Sequence, residues 1–258
     1  MYRKTLVAGT VLALFAGVSL AQSFDVVVVG SGGAGLSAAI MAKEAGSSVV
    51  VLEKMPYLGG NSNFASGGMN AACTKQQIAG GVTNDSPEIF YQDTMKGGHN
   101  LNNPALLKTL TETARYAEEW LVDLGAKFCF RKGRGGGQSV ARGHGPCDGS
   151  AVGPEVLRVL TARLKADKVE ILKNHQVVDI LMKDGAVAGV KVKTAKGTET
   201  IDAKAVVLAT GGFGANHAMV EKYRPELKGF ATTNHPGALG EGLDLAEKVG
   251  ASFTDIDR

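Results

Sequence analysis

The stretch Asp25-Val26-Val27-Val28-Val29-Gly30-Ser31-Gly32-Gly33-Ala34-Gly35 decides how this chain is read. Four consecutive valines describe a strand buried on both faces, because successive side chains point to opposite sides and none is polar. The strand runs straight into G-x-G-x-x-G, with Gly30, Gly32 and Gly35 in the three glycine places. Gly30 permits the tight turn. Gly32 lets a diphosphate approach the backbone, and Gly35 lets the next helix pack close to the strand. Gly33 and Ala34 open that helix, where free N–H groups and the dipole favour an anion. Leu36 to Ala45 is rich in Leu and Ala, and Gly46 stops it. Ser48 to Leu52 is a second apolar strand, followed by Glu53 and Lys54. An acid at that place accepts hydrogen bonds from the hydroxyls of an adenosine ribose.

A lone G-x-G-x-x-G means little in a chain with 35 glycines among 258 residues. Strand, glycines, helix, strand and acid in this order and spacing mean much more. Further along, Val177 to Met182, Val187 to Lys193 and Thr198 to Asp202 alternate around turns at Asp184-Gly185 and Lys196-Gly197. That pattern reads as an antiparallel meander. Ala205 to Ala209 then returns as a buried strand ending in Thr210-Gly211-Gly212. A dinucleotide-binding half followed by such a meander is not the six-strand nicotinamide domain. Gly59-Gly60, just past Glu53, lets backbone reach a ribityl phosphate, which a nicotinamide enzyme does not need. FAD is therefore the cofactor this order of elements selects.

The remaining sequence reads as follows. Met1-Tyr2-Arg3-Lys4 is basic, Leu6 to Leu20 is apolar, and Ser19-Leu20-Ala21 offers small residues before a cut after Ala21. Residues 1–21 read as a secretory signal peptide, since the apolar run is too short and wrongly flanked for a spanning helix. An uncleaved anchor is the alternative. The expected mature chain, 22–258, is one FAD-binding domain, periplasmic and not stably inserted in a membrane. Removal of Arg3 and Lys4 from the 28 basic residues leaves 26 against 25 acids, and no basic stripe points to nucleic acid. Cys73, Cys129 and Cys147 form neither C-x-x-C nor C-x-x-C-H, so no metal or attached haem is expected. A Cys129–Cys147 bond is open in an oxidising compartment, but an unpaired buried thiol is the expectation for each.

Ser86-Pro87 and Asn103-Pro104 start helices. The second carries Leu107, Leu110, Ala114, Ala117, Leu121 and Leu124 on one face, with Trp120 as core beside it, and Gly125 ends it. Phe128 to Gly153 holds no clear period and reads as a binding loop or lid. It carries the cations Arg134, Arg142 and His144; ordinary hydrogen bonding within the loop is the plainer reading of each. Pro154 to Lys165 reads as helix, Val169 to Leu172 as strand and Glu241 to Val249 as helix, with another strand beginning near Arg258. His99 reads as a solvated loop residue, His235 as a structural turn residue, and His175 and His217 as surface residues. Cys73 reads as buried rather than reactive.

Several segments go beyond pattern. Gly59-Gly60-Asn61-Ser62, Ala65-Ser66-Gly67-Gly68-Met69-Asn70-Ala71-Ala72, Asp93 to Gly98, Leu208 to Phe213 and Thr233 to Gly242 resemble the flavoprotein subunits of the fumarate reductase and succinate dehydrogenase family. The likeness is greatest to the soluble periplasmic flavocytochromes c and to relatives that reduce urocanate or methacrylate. It covers residues 24–256. It implies an α/β fold: a glutathione-reductase-like FAD-binding Rossmann domain with an antiparallel β-meander, holding FAD non-covalently. By resemblance, Ala34 and Gly35 lie on the diphosphate, Glu53 on the adenosine ribose, and Asn61, Ser62, Ser66, Gly67 and Gly68 along the ribityl and isoalloxazine. Val177 or Val178 touches the adenine through backbone. Thr210, Gly211 and Glu241 complete the flavin site, Glu241 standing where relatives often carry Asp. Gly67, Arg134 and His144 are the substrate-facing candidates.

In this family a capping domain and later segments carry the carboxylate clamps and the proton donor. The resemblance therefore implies a chain lacking its capping domain, with no catalytic residue up to Arg258. The expected activity is reduction of the C=C bond of an α,β-unsaturated carboxylate by hydride from flavin N5. Electrons would come from a separate c-type cytochrome. A ketosteroid-type dehydrogenase and a non-catalytic FAD-binding remnant are the alternatives.

Overall fold

The computed structural model describes residues 22–257, so the signal peptide expected over 1–21 lies outside the described residues. The valine run is β1 (Gln22–Val29), followed by α1 (Gly33–Glu44) and β2 (Val49–Glu53). A 3-10 turn at Gly60–Phe64 leads to β3 (Met69–Asn70), α2 (Lys75–Ala79), α3 (Pro87–Gly97) and α4 (Pro104–Asp123). Next come β4 (Phe128–Arg131), β5 (Gly143–Pro146), α5 (Val152–Ala166) and β6 (Glu170–Lys173). The meander is β7 (Gln176–Lys183), β8 (Ala186–Thr194) and β9 (Gly197–Leu208), and α6 (His217–Tyr223) and α7 (Glu241–Lys248) close the described chain.

The main sheet runs β6-β2-β1-β9-β8-β7. β1 pairs parallel with β2 and with β9, while β7, β8 and β9 are antiparallel. The period of two along β1 and β2 sorts their side chains. Val28, Val49 and Val51 meet Leu36 and Ile40 of α1 and Leu160 and Leu164 of α5 on one face. Val27, Val29, Val50 and Leu52 meet Val177, Val190 and Val192 of the meander and Leu245 of α7 on the other. Each such side chain contributes about 1.5–3 kcal/mol on burial. A polar residue at any of these β1 positions would therefore be costly whichever face it joined.

The structure corrects five expectations. Thr198–Asp202 and Ala205–Ala209 are not two strands but parts of one, β9, antiparallel to β8 at one end and parallel to β1 at the other. No Gly or Pro lies between them, and buried Ala203 carries the strand through. Phe128 to Gly153 is not wholly irregular. It contains β4 and β5, which with β3 form a small antiparallel sheet, and Cys129 and Cys147 are joined by a disulfide. Gly143-His144-Gly145-Pro146 has little strand propensity of its own; pairing with β4 and β3 supplies the order. The buried face of α4 is Leu107, Thr111, Ala114, Glu118 and Leu121, while Leu110 is 53% exposed. Finally, residues 251–253 form no strand. Ser86 and Asn103 cap α3 and α4 as expected, accepting from Ile89 N at 3.1 Å and from Ala105 N at 3.0 Å.

Candidate functional site

The carboxyl ends of β1, β2 and β9 open on a cavity of about 240 Å³. Clefts at that end of a parallel sheet are where such folds bind ligands. Here the ends of three strands, the start of α1 and the start of α7 converge. Glycine makes the convergence possible. A Cβ at Gly30 would run into the carbonyl of Ala209, one at Gly35 into the carbonyl of Gly30, and one at Gly242 into the Thr210 hydroxyl. Gly30 also sits at φ 106°, which L side chains avoid. Gly35 is thus a packing residue beneath the cleft and does not line it.

One wall is built around Glu53, which is 8% exposed. Its Oε2 accepts from Ser31 Oγ at 2.6 Å and from Ser31 N at 3.1 Å, and its Oε1 accepts from Met55 N at 2.9 Å. Ser31 Oγ in turn accepts from Gly59 N at 3.1 Å. The glycine turn, the acid and the second glycine pair are thereby one hydrogen-bonded unit. Ser62 Oγ accepts from Gly33 N at 3.0 Å and ties the 3-10 turn to the start of α1. No acidic side chain occupies the first turn of α1, leaving the positive end of that helix free for an anion.

Other lining residues come from the far end of the chain. Lys54 Nζ donates to both oxygens of Glu241, at 2.6 and 2.7 Å, and so spans from β2 to the first residue of α7. His175, Gln176 and Val177 border the cleft beside Glu53, and His175 N donates to Glu53 O at 2.9 Å. His235 borders it next to Asn61, whose Oδ1 accepts from His235 N at 2.6 Å.

Of the residues singled out from sequence, Gly30, Gly32, Gly33 and Ala34 line the cleft, as do Glu53, Lys54, Gly60, Asn61 and Ser62. Thr210, Gly211 and Glu241 line it too. Val177 does so and Val178 does not. Ser66, Gly67 and Gly68 are exposed between the 3-10 turn and β3, outside the cleft. Sequence reasoning missed Ser31, Gln176, Ala238 and Leu245 as lining residues, and placed His175 and His235 elsewhere. The signal for Ser31 was its place inside the glycine motif. For Gln176 and His235 there was none, since they reach the cleft only through the fold.

The three cations singled out in the 128–153 segment do not gather at the cleft. Arg134 is exposed and donates to Ser139 O. Arg142 is fully buried, paired with Asp85 at 2.9 Å and Asp93 at 2.7 Å. Burial opposes the Asp93 charge, but hydrogen bonds from Ser139 and Arg142 outweigh it and hold the carboxyl below its usual range. His144 is fully buried and shares a 2.7 Å hydrogen bond with Thr74 Oγ1; burial lowers its pKa, favouring the neutral ring. Gln77 links this network by donating to Asp85 Oδ2 and Ala141 O. The network braces β5 and α2. Cys73 is half-buried, with its thiol pushed up by burial and by Asp85.

A cleft lined by an oriented acid, a glycine turn and a helix N-terminus free of acidic side chains fits a flavin dinucleotide. A sequence profile of the FAD binding domain family matches residues 25–257. NADH:fumarate oxidoreductase of Klebsiella pneumoniae is 50% identical over 236 residues, covering 91% of this chain and 25% of that protein. Fumarate reductase (cytochrome) of Shewanella frigidimarina is 47% identical over 237 residues, covering 91% of this chain and 41% of its own length. A solved structure, the open conformation of a flavocytochrome c3 fumarate reductase, superposes with a TM-score of 0.88 at 41% identity. It covers 92% of this chain and 42% of that one. The chain thus spans between a quarter and about two fifths of these relatives. Because the profile runs from β1 through α7 and past it, the chain belongs to the FAD binding domain family, and its cofactor is FAD.

Proposed function

We propose that this protein takes part in reducing the C=C bond of a small α,β-unsaturated carboxylate, with FAD held non-covalently in the cleft. The observation that carries the reading is a glycine- and Glu53-lined cleft in a chain similar over 91% of its length to proteins named for fumarate reduction. When bound, the flavin supplies hydride to the electron-poor carbon of the double bond. The chain's own residues bind and orient. Glu53, aimed by Ser31, takes the hydroxyls of the adenosine ribose. The α1 N-terminus and Gly32-Gly33 receive the diphosphate. Val177 backbone borders the adenine, and Asn61 and Ser62 follow the ribityl chain. The Lys54–Glu241 pair straps the cleft at its mouth. Ser66, Gly67 and Gly68 are proposed to face the isoalloxazine and substrate from outside the cleft. The carboxylate clamps and proton donor are proposed to come from groups other than Arg134, Arg142 and His144. The first is exposed, and the other two are spent on buried partners.

Export is proposed as well, to the periplasm, on the basic and apolar pattern of residues 1–21. A Cys129–Cys147 bond suits an oxidising compartment. A separate c-type cytochrome is the proposed electron donor. NADH is the second reading, because one relative is named for it. The experiment takes the protein purified from its host. Denaturation and mass analysis of the released ligand should give FAD; FMN, a nicotinamide, or flavin left on the chain would refute the cofactor assignment. Fumarate, urocanate and methacrylate are then offered with reduced viologen. Reduction of at least one is expected, and reduction of none overturns the activity. Comparing NADH with a reduced c-type cytochrome separates the two donors.

A further inference from the structure

We infer that His235 is a cofactor-binding residue whose Nε2–H donates a hydrogen bond to an oxygen of the diphosphate–ribityl stretch of the bound flavin nucleotide. The inference rests on the reading of the cleft as an FAD site and adds a contact that the glycine motif does not predict.

His235 is 3% exposed and borders the cleft. Its Nδ1 accepts from Gly237 N at 2.9 Å. An N–H aimed at Nδ1 needs a lone pair there, so the hydrogen-bond network assigns the ring proton to Nε2. That Nε2 is buried and has no hydrogen-bond partner among the described residues. Buried donors are nearly always satisfied, and an orphan one is costly. Meanwhile everything else about the residue is fixed. Its backbone N donates to Asn61 Oδ1 at 2.6 Å, and Asn61 Nδ2 donates to Asn234 Oδ1 at 2.7 Å. Tyr57 and Phe64 flank the ring at centroid distances of 5.2 and 5.6 Å. A rigidly held ring on the wall of a ligand cleft, with one donor left over, is a donor prepared for an acceptor on the ligand.

Its position selects which part of the ligand. His235 is fastened to Asn61, the neighbour of Ser62, which takes Gly33 N–H at the start of α1. This is the anion-binding side of the cleft. The adenosine side is bordered instead by Glu53, His175, Gln176 and Val177. The ligand atoms within reach of the Asn61 side are phosphate and ribityl oxygens, all of them acceptors.

The test uses the full-length protein, stripped of flavin and reconstituted. In wild type, ¹⁵N-histidine NMR should show the Nε2–H tautomer. Its proton should move downfield on adding FAD and stay in place on adding adenosine, which lacks both phosphates and the ribityl chain. His235→Asn keeps an acceptor for Gly237 N but removes the distal donor; it should weaken FAD about five- to tenfold. Adenosine affinity should be unchanged. His235→Gln restores an N–H near the Nε2 position and should bind FAD within about twofold of wild type. Unaltered FAD affinity in His235→Asn, or an Nε2 proton that ignores FAD, overturns the inference. So does a response to adenosine equal to that for FAD, which would put the contact on the adenosine half. If His235→Asn does not fold, the wild-type spectra decide alone. Wild type that retains no FAD at all would instead refute the cofactor assignment.

Discussion

Ser31 fills the first variable place of the glycine turn, and its hydroxyl donates to Glu53 while accepting from Gly59 N–H. Without it, Gly59 N–H loses its acceptor and the Glu53 carboxylate loses the shortest of its three bonds. Ser31→Ala should therefore weaken FAD by about 1–2 kcal/mol, roughly tenfold, read by fluorescence titration of the stripped protein. An unchanged affinity would mean that backbone donors alone orient the acid. Arg142 teaches the opposite lesson about a conspicuous residue. It stands out as a cation in a glycine-rich loop, where ordinary hydrogen bonding was the plainer reading, and its guanidinium is sealed between Asp85 and Asp93. Arg142→Met strands a buried carboxylate, and the expected loss is about 3–5 kcal/mol in chemical denaturation, with cofactor contacts untouched. Retained stability in that variant would show that the network is dispensable. Gly30, Gly32, Gly33, Ala34 and Glu53 were legible in the sequence because their roles follow from spacing along one strand–turn–helix unit. Ser31 and His235 were not, since a hydroxyl in a variable place and a histidine in a turn acquire roles only from distant partners.

At the level of elements, local signals held where they were self-contained and slipped where a neighbour decided. Caps at Ser86 and Asn103 were correct because capping is settled within four residues. The face of α4 was misjudged because apolar spacing favoured Leu110 and Ala117, while packing on α3 and on Ala71-Ala72 turns inward a stripe that includes Thr111 and Glu118. β9 was split because antiparallel and parallel partners meet it at opposite ends. The buried Glu118 has a measurable consequence. Gln76 Nε2 donates to its Oε1 at 3.2 Å, and Oε2 has no partner. Burial, helped by the neighbouring Glu119 charge, pushes its pKa from 4.5 up to about 7. Between those values the folded protein keeps a proton that the unfolded chain has released. Unfolding is then linked to proton release, so stability falls as pH rises through this window and is fully retained below it. Glu118→Gln removes the effect. Its stability relative to wild type should be near zero at pH 4.5 and rise to a gain of about 1–3 kcal/mol above pH 7, measured by urea denaturation across pH. A gain independent of pH would show that the carboxyl does not titrate there.

For the whole molecule, the dinucleotide-binding half, the antiparallel meander and the cleft followed from the sequence, while the small sheet β3-β5-β4 and its disulfide did not. The main sheet is legible because apolar runs such as Val26–Val29 can lie only between two covered faces. In the small sheet the Arg131 side chain lies where a Cβ at Gly145 would stand. Nothing in local propensity announces such a strand. Cys129 and Cys147 end up across this β4–β5 pair, 18 residues apart in sequence, whereas Cys73 stays a free thiol. Closing a loop of that length removes unfolded-chain entropy worth about 3 kcal/mol. The clip also fixes the segment that presents Arg142 and His144 to the buried network behind β3. Protein isolated with its thiols trapped, then unfolded without reductant, should therefore label at one cysteine, and at three after reduction. The Cys129→Ser/Cys147→Ser double variant should lose about 2–4 kcal/mol in urea denaturation under non-reducing conditions and match the reduced wild type. Three labelled thiols in the unreduced protein would show that the pair stays open where the protein resides, and would count against the proposed oxidising compartment as well.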